Sequence, residues 1–217
     1  MIRAVVPMKA LGAAKQRLAP ACPPDLRRAL AVAMLRDVLE TLAAAPGLDG
    51  IVVASPDPDV AAIAAAYGAR FEGDAGGGLT AAVTAAGRRL AMGGTVAMLV
   101  VPGDVPATTP DEITAVLGAY RDGHDFVIVP AHDGRGTNGI LVAPPDAVPF
   151  AYGEDSFAAH LAAARRSGLS PRVLPLPGLG LDVDHPGDLP RLAALPGAAG
   201  TRRLLAAHGL LAPTTAA

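Results

Sequence analysis

Val96-Ala97-Met98-Leu99-Val100-Val101-Pro102-Gly103-Asp104 holds the most continuous apolar run of the chain, and it ends on a proline, a glycine and an acid. An apolar run bounded by turn signals reads as a strand buried on both faces, the pattern of a central strand in a parallel sheet. Such a strand delivers Gly103 and Asp104 to its carboxyl end, the edge at which open α/β sheets bind ligands.

The segments on either side keep the same rhythm. Ile2 to Pro7 is a short apolar strand. Asp25 offers a helix cap, and Leu26, Leu30, Met34, Val38 and Leu42 recur every four residues, predicting one long amphipathic helix. Ile51 to Ala54 then reads as a strand, Asp57-Pro58 opens a helix, Ala69 to Phe71 is a strand, and an Ala-rich helix follows Gly78. Beyond the central strand, Thr109-Pro110-Asp111-Glu112 carries a capping box with Pro in the first turn, so a helix runs to about Tyr120. Strands are expected at Phe126 to Val129, Ile140 to Ala143 and Val173 to Pro175, and helices at Ser156 to about Arg166, Leu189 to Ala194 and Thr201 to His208. Alternating strands and helices predict an α/β fold, a mostly parallel sheet flanked by helices, in one domain spanning residues 1–217 with a frayed tail from about 210.

Composition agrees and excludes several function classes. Aliphatic residues supply the apolar half of 217 residues, with no Trp, three Tyr and four Phe, which suits helices packed on a sheet. Eighteen Lys and Arg against 20 Asp and Glu leave a formal charge of −2 and no basic run for a nucleic-acid backbone. Cys22 is the one cysteine, so neither an intramolecular disulfide nor a thiolate-rich zinc site can form. No segment approaches the ~20 apolar residues that span a bilayer. Met1 to Pro7 is too short, and too soon followed by Lys9, for a signal sequence, so a cytoplasmic location is expected.

Three constellations carry chemistry. Asp182 and Asp184 lie one residue apart after an apolar stretch. On an extended backbone both carboxylates face one side and suit Mg²⁺; alternatively they form an Asx turn or cap before His185-Pro186-Gly187. Asp104 tilts the balance, because three carboxylates gathered in one crevice repel each other without a cation. Lys9, Lys15 and Arg17 follow the first strand with Gly12, and could neutralise a triphosphate or simply form a solvated loop. Asp133-Gly134-Arg135-Gly136-Thr137-Asn138-Gly139 and Tyr152-Gly153-Glu154-Asp155-Ser156 could present backbone N–H groups to an anion, or form a hairpin turn and a helix cap. The five histidines, at 124, 132, 160, 185 and 208, show no metal-ligand spacing and read as structural or solvent-exposed. No Gly-x-Ser-x-Gly elbow is present, and Cys22 has no evident base, so nucleophilic catalysis has no candidate.

Taken in order, Val6-Pro7-Met8-Lys9 with Ala14-Lys15-Gln16-Arg17-Leu18, Val101-Pro102-Gly103-Asp104-Val105-Pro106, the Asp133 to Gly139 loop, Tyr152 to Ser156, and Leu181-Asp182-Val183-Asp184-His185-Pro186 resemble the CofC/FbiD family. Its members are guanylyltransferases of coenzyme F420 biosynthesis acting on 2-phospho-L-lactate, phosphoenolpyruvate or 3-phospho-D-glycerate. The resemblance, from Pro7 to Asp184, implies a glycosyltransferase-A-like nucleotidyltransferase fold. It implies Asp104, Asp182 and Asp184 as catalytic metal carboxylates holding Mg²⁺, two ions. Thr137, Gly153 and Ser156 would contact the phosphorylated acid. Lys9, Lys15 and Arg17, with Gly78 and Thr80, would face GTP, and Lys9 and Arg17 would also act in catalysis.

The chain departs from the family at Gly78-Leu79-Thr80, where Gly-Leu-Asn is common and base selectivity is at stake, and at Tyr152, where Phe is usual. Alternatives are a molybdenum-cofactor guanylyltransferase, an isoprenoid cytidylyltransferase, a metal-dependent glycosyltransferase, or a non-catalytic nucleotide-binding protein of the same fold. The sequence leaves the oligomeric state open, with a homodimer the commonest arrangement among soluble oligomers. Its product would pass to the next enzyme of coenzyme F420 synthesis.

Overall fold

A computed structural model describes residues 1–73, 77–121 and 125–211. These form a sheet of seven strands: β1 (Ile2–Pro7), β2 (Ile51–Ser55), β3 (Arg70–Gly73), β4 (Ala97–Val100), β5 (Phe126–Pro130), β6 (Thr137–Val142) and β7 (Arg172–Val173). The order across the sheet is β3-β2-β1-β4-β6-β5-β7, which puts β4 at the centre as its apolar run demands. Its neighbours are β1, parallel, and β6, antiparallel. The helices are α1 (Pro24–Ala44), α2 (Asp59–Ala66), α3 (Gly78–Met92), α4 (Pro110–Arg121), α5 (Ser156–Arg166), α6 (Asp188–Ala194) and α7 (Ala199–Ala207).

Period-2 alternation sorts the strand residues onto two buried faces. Ile2, Ala4, Val6, Val53, Leu99, Val127 and Leu141 pack on one side against α1, α2 and α4. Val5, Val52, Met98, Val100, Ile128 and Ile140 pack on the other against α3 and α5. A smaller apolar cluster joins α1, α6 and α7 through Leu30, Met34, Leu192 and Leu205. Among the described residues no helix is long and apolar enough to cross a membrane.

Several expectations shift at the element ends. Asp25 is not the cap of α1: the helix opens at Pro24 after Pro23, and Asp25 sits in the first turn, where it complements the helix dipole. The Thr109/Glu112 capping box forms as expected, Thr109 Oγ1 accepting from the Glu112 N–H at 3.3 Å and Glu112 Oε2 from the Thr109 N–H at 3.1 Å. β6 starts at Thr137 rather than Ile140. Thr-Asn-Gly reads locally as a turn, but a Cβ at Gly139 would stand 3.0 Å from Leu179 Cδ2 and 3.1 Å from Val129, so a larger residue would press on the neighbours that pack against this strand. β6 runs antiparallel to both β4 and β5 because residues 131–136 are too few for a parallel crossover. Leu210 and Leu211, expected in the frayed tail, pack against the α1/α7 cluster. The rest of that tail, residues 212–217, and His124 lie outside the described residues.

The topology positions a site. β1 and β4 are parallel, so Pro7 and Val100 end on the same edge, and antiparallel β6 begins there. Gly103 seals this corner: a Cβ would meet Met8 Sδ at 2.8 Å, so the loop after β1 lies directly on the chain leaving β4.

Candidate active site

The loop after β1 folds as two 3₁₀ turns, Leu11–Ala13 and Gln16–Leu18, with Lys15 between them. Lys15 adopts the left-handed conformation, φ 58° and ψ 35°. For a residue with a Cβ this costs about 1–3 kcal/mol and persists only where surroundings impose it. Its ammonium is held by two carboxylates. Lys15 Nζ donates to Asp104 Oδ2 at 2.9 Å and to Asp184 Oδ1 at 2.8 Å. The Lys15 side chain is 4% exposed and the carboxylates 32% and 33%, so the ammonium is closed in while the acids reach the crevice. Arg17 Nη1 stands 3.7 Å from Asp184 Oδ2 on the solvent side, and Lys9 is exposed beside the same carboxylate.

Charge states follow from this arrangement. Burial works against the Lys15 charge, but Asp104 and Asp184 together override it and raise its pKa above the ordinary value. Burial likewise pushes the Asp184 carboxyl up, yet Lys15, helped by Arg17 and Lys9, holds it below the usual carboxylate value. Asp182 goes the other way. Burial raises its pKa, Asp104 and Asp184 add to the rise, and a hydrogen bond from Asn138 only partly offsets them.

The segment carrying Asp182 and Asp184 alternates as an extended backbone should, with Leu181 and Val183 buried and both acids half-buried. It is tied down at several points. The Val183 N–H donates to the Asp104 carbonyl at 3.1 Å. Buried Glu112 accepts from the N–H groups of Gly178 at 2.7 Å and Leu179 at 3.0 Å, charge-assisted bonds that fix the turn leading into the acids. Asn138 Nδ2 donates to Asp182 Oδ1 at 3.0 Å and to the Gly180 carbonyl at 2.9 Å. His132 lies between Asp182, at 3.8 Å, and Asp188, at 3.6 Å.

Asp188 answers the question of turn against ligand. Its Oδ2 accepts from the N–H groups of Asp184, at 3.0 Å, and His185, at 2.6 Å. The capping role thus falls to Asp188, and the Asp184 carboxylate is left for Lys15. Among the described residues no group of three His, Cys, Asp or Glu side chains is placed to hold a metal ion. Asp104 and Asp184 both pair with the Lys15 ammonium, which offsets part of their mutual repulsion.

Adjacent to Asn138, Thr137 opens a second cluster. Thr137 Oγ1 lies 3.1 Å from His160 Nδ1 and 3.3 Å from Ser156 Oγ. The Ala151 N–H donates to His160 Nε2 at 3.0 Å, and the Tyr152 N–H to Thr80 Oγ1 at 3.0 Å. The Tyr152 ring packs edge-on against His160 with centroids 4.8 Å apart. Thr80 and Gly78, at the start of α3, therefore stand beside the Tyr152–Gly153 corner. Gly153 is exposed, and a Cβ there would meet nothing within 4 Å.

Backbone donors in these loops are less free than a Gly-rich sequence suggests. Asp133 Oδ1 accepts from the N–H groups of Arg135 at 2.8 Å and Gly136 at 3.1 Å. The N–H groups of Ser156 and Phe157 at the start of α5 go to the carbonyls of Gly153 and Arg135. Beside them lies the buried hydroxyl pair of Thr137 and Ser156.

A sequence profile described as guanylyl transferase CofC like matches residues 2–204. The chain belongs to this family. A phosphoenolpyruvate guanylyltransferase of Rubrobacter xylanophilus is 41% identical over 191 residues, covering 88% of this chain and 93% of that protein. A 3-phospho-D-glycerate guanylyltransferase of Colwellia psychrerythraea is 34% identical over 191 residues, covering 88% and 90%. Among solved structures, 4-diphosphocytidyl-2C-methyl-D-erythritol synthase of Anaerococcus prevotii superposes with TM-score 0.62 at 10% identity, over 89% of this chain and 95% of that one. At that identity the likeness shows the nucleotidyltransferase fold alone, and membership of the CofC-like family sets the chain apart from the cytidylyltransferases.

The sequence leaves His160 as structural or solvent-exposed; it is fully buried, with a measurable consequence. Desolvation holds its pKa down to about 4, the Ser156 carbonyl pulling weakly the other way. An unfolded chain, with histidine near 6.5, takes up a proton that the folded chain refuses. This contribution is complete above pH 6.5 and is lost as pH falls toward 4, reaching about 3 kcal/mol, with ~2 kcal/mol already gone at pH 5. Urea unfolding at pH 7 and pH 5 should show this extra loss in the wild type and not in His160→Asn. Equal pH slopes in the two proteins would refute it.

Proposed function

We propose that this protein transfers GMP from GTP to the phosphate of a small phosphorylated carboxylic acid and releases pyrophosphate. Phosphoenolpyruvate is the favoured acceptor, because the relative named for it is more similar (41%) than the one named for 3-phospho-D-glycerate (34%). 2-Phospho-L-lactate completes the set to be tested. The observation that carries this reading is the juxtaposition, at one sheet edge, of the Lys15-bridged Asp104/Asp184 pair with the Thr137/Ser156 hydroxyl pair.

In this reading a phosphate oxygen of the acid attacks the α-phosphorus of GTP in line, and the bond to pyrophosphate breaks without a covalent enzyme intermediate. Positioning and charge neutralisation supply most of the rate. Arg17 and Lys9 neutralise the triphosphate from the exposed rim, while Lys15 holds Asp104 and Asp184 in place. Thr137 and Ser156 orient the acid, with Gly153 leaving room for it. No general base is needed, since the phosphate nucleophile is already ionised at neutral pH.

Asp104, Asp182 and Asp184 offer the hard carboxylate oxygens that Mg²⁺ takes, although Lys15 stands between Asp104 and Asp184 and the three acids are not gathered about one metal position. Mg²⁺, two ions, would be held by these three residues and would supply charge neutralisation at phosphate oxygens. The product then serves the next enzyme of coenzyme F420 synthesis.

Pyrophosphate release with GTP, Mg²⁺ and each of the three acids, together with the product mass, tests the proposal. We expect one pyrophosphate per GMP conjugate and the highest rate with phosphoenolpyruvate. Silence with all three acids in a protein that still binds GTP would favour a non-catalytic nucleotide-binding role.

A further inference from the structure

Hydrogen-bond polarity in the second cluster can be counted atom by atom. His160 is fully buried, and Thr137 and Ser156 are 6% and 3% exposed. The Ala151 N–H can only donate, and it points at His160 Nε2 from 3.0 Å. Nε2 is therefore the bare nitrogen, and the ring hydrogen sits on Nδ1. From there it faces Thr137 Oγ1 at 3.1 Å as a donor, with the Ser156 carbonyl as a second acceptor, and it cannot accept the Thr137 hydrogen in either case.

That donation fixes what the two hydroxyls have left. Thr137 and Ser156 carry one hydrogen each and share one hydrogen bond at 3.3 Å. If Ser156 donates, the Thr137 hydrogen is unspent; if Thr137 donates, the Ser156 hydrogen is unspent. Either way the pair keeps one O–H to give to a ligand, and among the described residues neither hydroxyl has another side-chain partner. With the opposite tautomer Thr137 would donate to Nδ1 and Ser156 to Thr137, leaving only lone pairs to repel an anion. One backbone N–H thus sets the polarity of the hydroxyl pair.

We propose that His160 is a positioning residue for the acid substrate: with Nε2 occupied by the Ala151 N–H, its Nδ1–H turns the Thr137/Ser156 pair into a net hydrogen-bond donor toward an anionic oxygen. This rests on the reading that Thr137 and Ser156 hold the acid. The neutral ring suits the task, since burial keeps its pKa near 4 and the tautomer unchanged across the neutral range.

The test separates the two nitrogens. His160→Asn places an amide near Nδ1 and can still donate to Thr137, whereas His160→Gln reaches toward Ala151 and cannot; His160→Leu lacks both functions. Steady-state kinetics should show the KM for the acid raised at least about tenfold in Gln and Leu, the cost of a lost bond to a charged group, and by much less in Asn. The KM for GTP should stay within about twofold throughout on the same grounds.

Unchanged acid KM in Gln and Leu, or equal rises for acid and GTP, overturns the positioning role. Thr137→Val serves as the reference. If it leaves the acid KM unaltered, the assignment of the pocket itself has failed, not only the part given to His160. Long-range ¹H–¹⁵N spectra of the wild-type protein test the premise without any variant: a protonated Nδ1 and bare Nε2 support it, and the reverse tautomer sinks it.

Discussion

Asp184→Asn is expected to lower kcat by about 10³-fold or more while moving the melting temperature by only a few degrees, a loss of the size seen when one transition-state charge contact is removed and metal binding is weakened with it. Asn matches Asp in volume, and the backbone here is held by Asp188 and Glu112, which accept four of the surrounding N–H groups. The fold therefore does not depend on the Asp184 charge. The chemistry does, because Lys15, Arg17 and Lys9 all hold the Asp184 carboxyl in its ionised form. Asp188→Asn is the informative contrast, since weakening the cap should lower stability as well as rate. Pyrophosphate release and circular-dichroism melts on both variants give the comparison. A rate for Asp184→Asn within tenfold of the wild type, with Mg²⁺ dependence retained, would remove Asp184 from the metal set.

The parts of this protein legible from sequence are those whose causes are local. The central strand is visible because β4 is buried on both faces and its residues say so one by one. The Thr109/Glu112 box is visible because its partners are three residues apart. Glu112 shows where local reading stops, since its carboxylate also holds Gly178 and Leu179, 66 and 67 residues away. Lys15 is the same case at the site. Its loop reads as a solvated or phosphate-facing cation cluster, and nothing within reach in sequence reveals that its ammonium spans partners 89 and 169 residues distant. Asp182 and Asp184 were nameable, but their division of labour with Asp188 was not, because Asp188 looks like one more helix-start acid. His160 carried a weak signal: a lone histidine four residues after Ser156 on an Ala-rich helix shares its inner face, and only the arrival of Thr137 and Ala151 gives it a role.

Lys15→Met should be nearly as damaging to turnover as Asp184→Asn, about 10²–10³-fold, and for a reason that can be told apart from misfolding. Lys15 is the one cation of its loop whose side chain is shut away from water, so neither Lys9 nor Arg17 can take its place between the acids. Met preserves the length and apolar stem while deleting the charge. Asp104 and Asp184 are each about one-third exposed, so water and counter-ions absorb part of the repulsion that follows. Stability should therefore change little. In the nucleotide-free protein the vacated position between two carboxylates should bind a divalent ion more tightly, which titration with Mn²⁺ followed by paramagnetic resonance would register as a lower Kd. Lys15→Gly separates charge from conformation, since glycine accepts φ 58° without strain, which offsets part of the loss of the buried stem, and it should lose turnover like Met. Should Lys15→Met turn over normally, or bind Mn²⁺ more weakly than the wild type, the lysine is not the cation that holds these acids together.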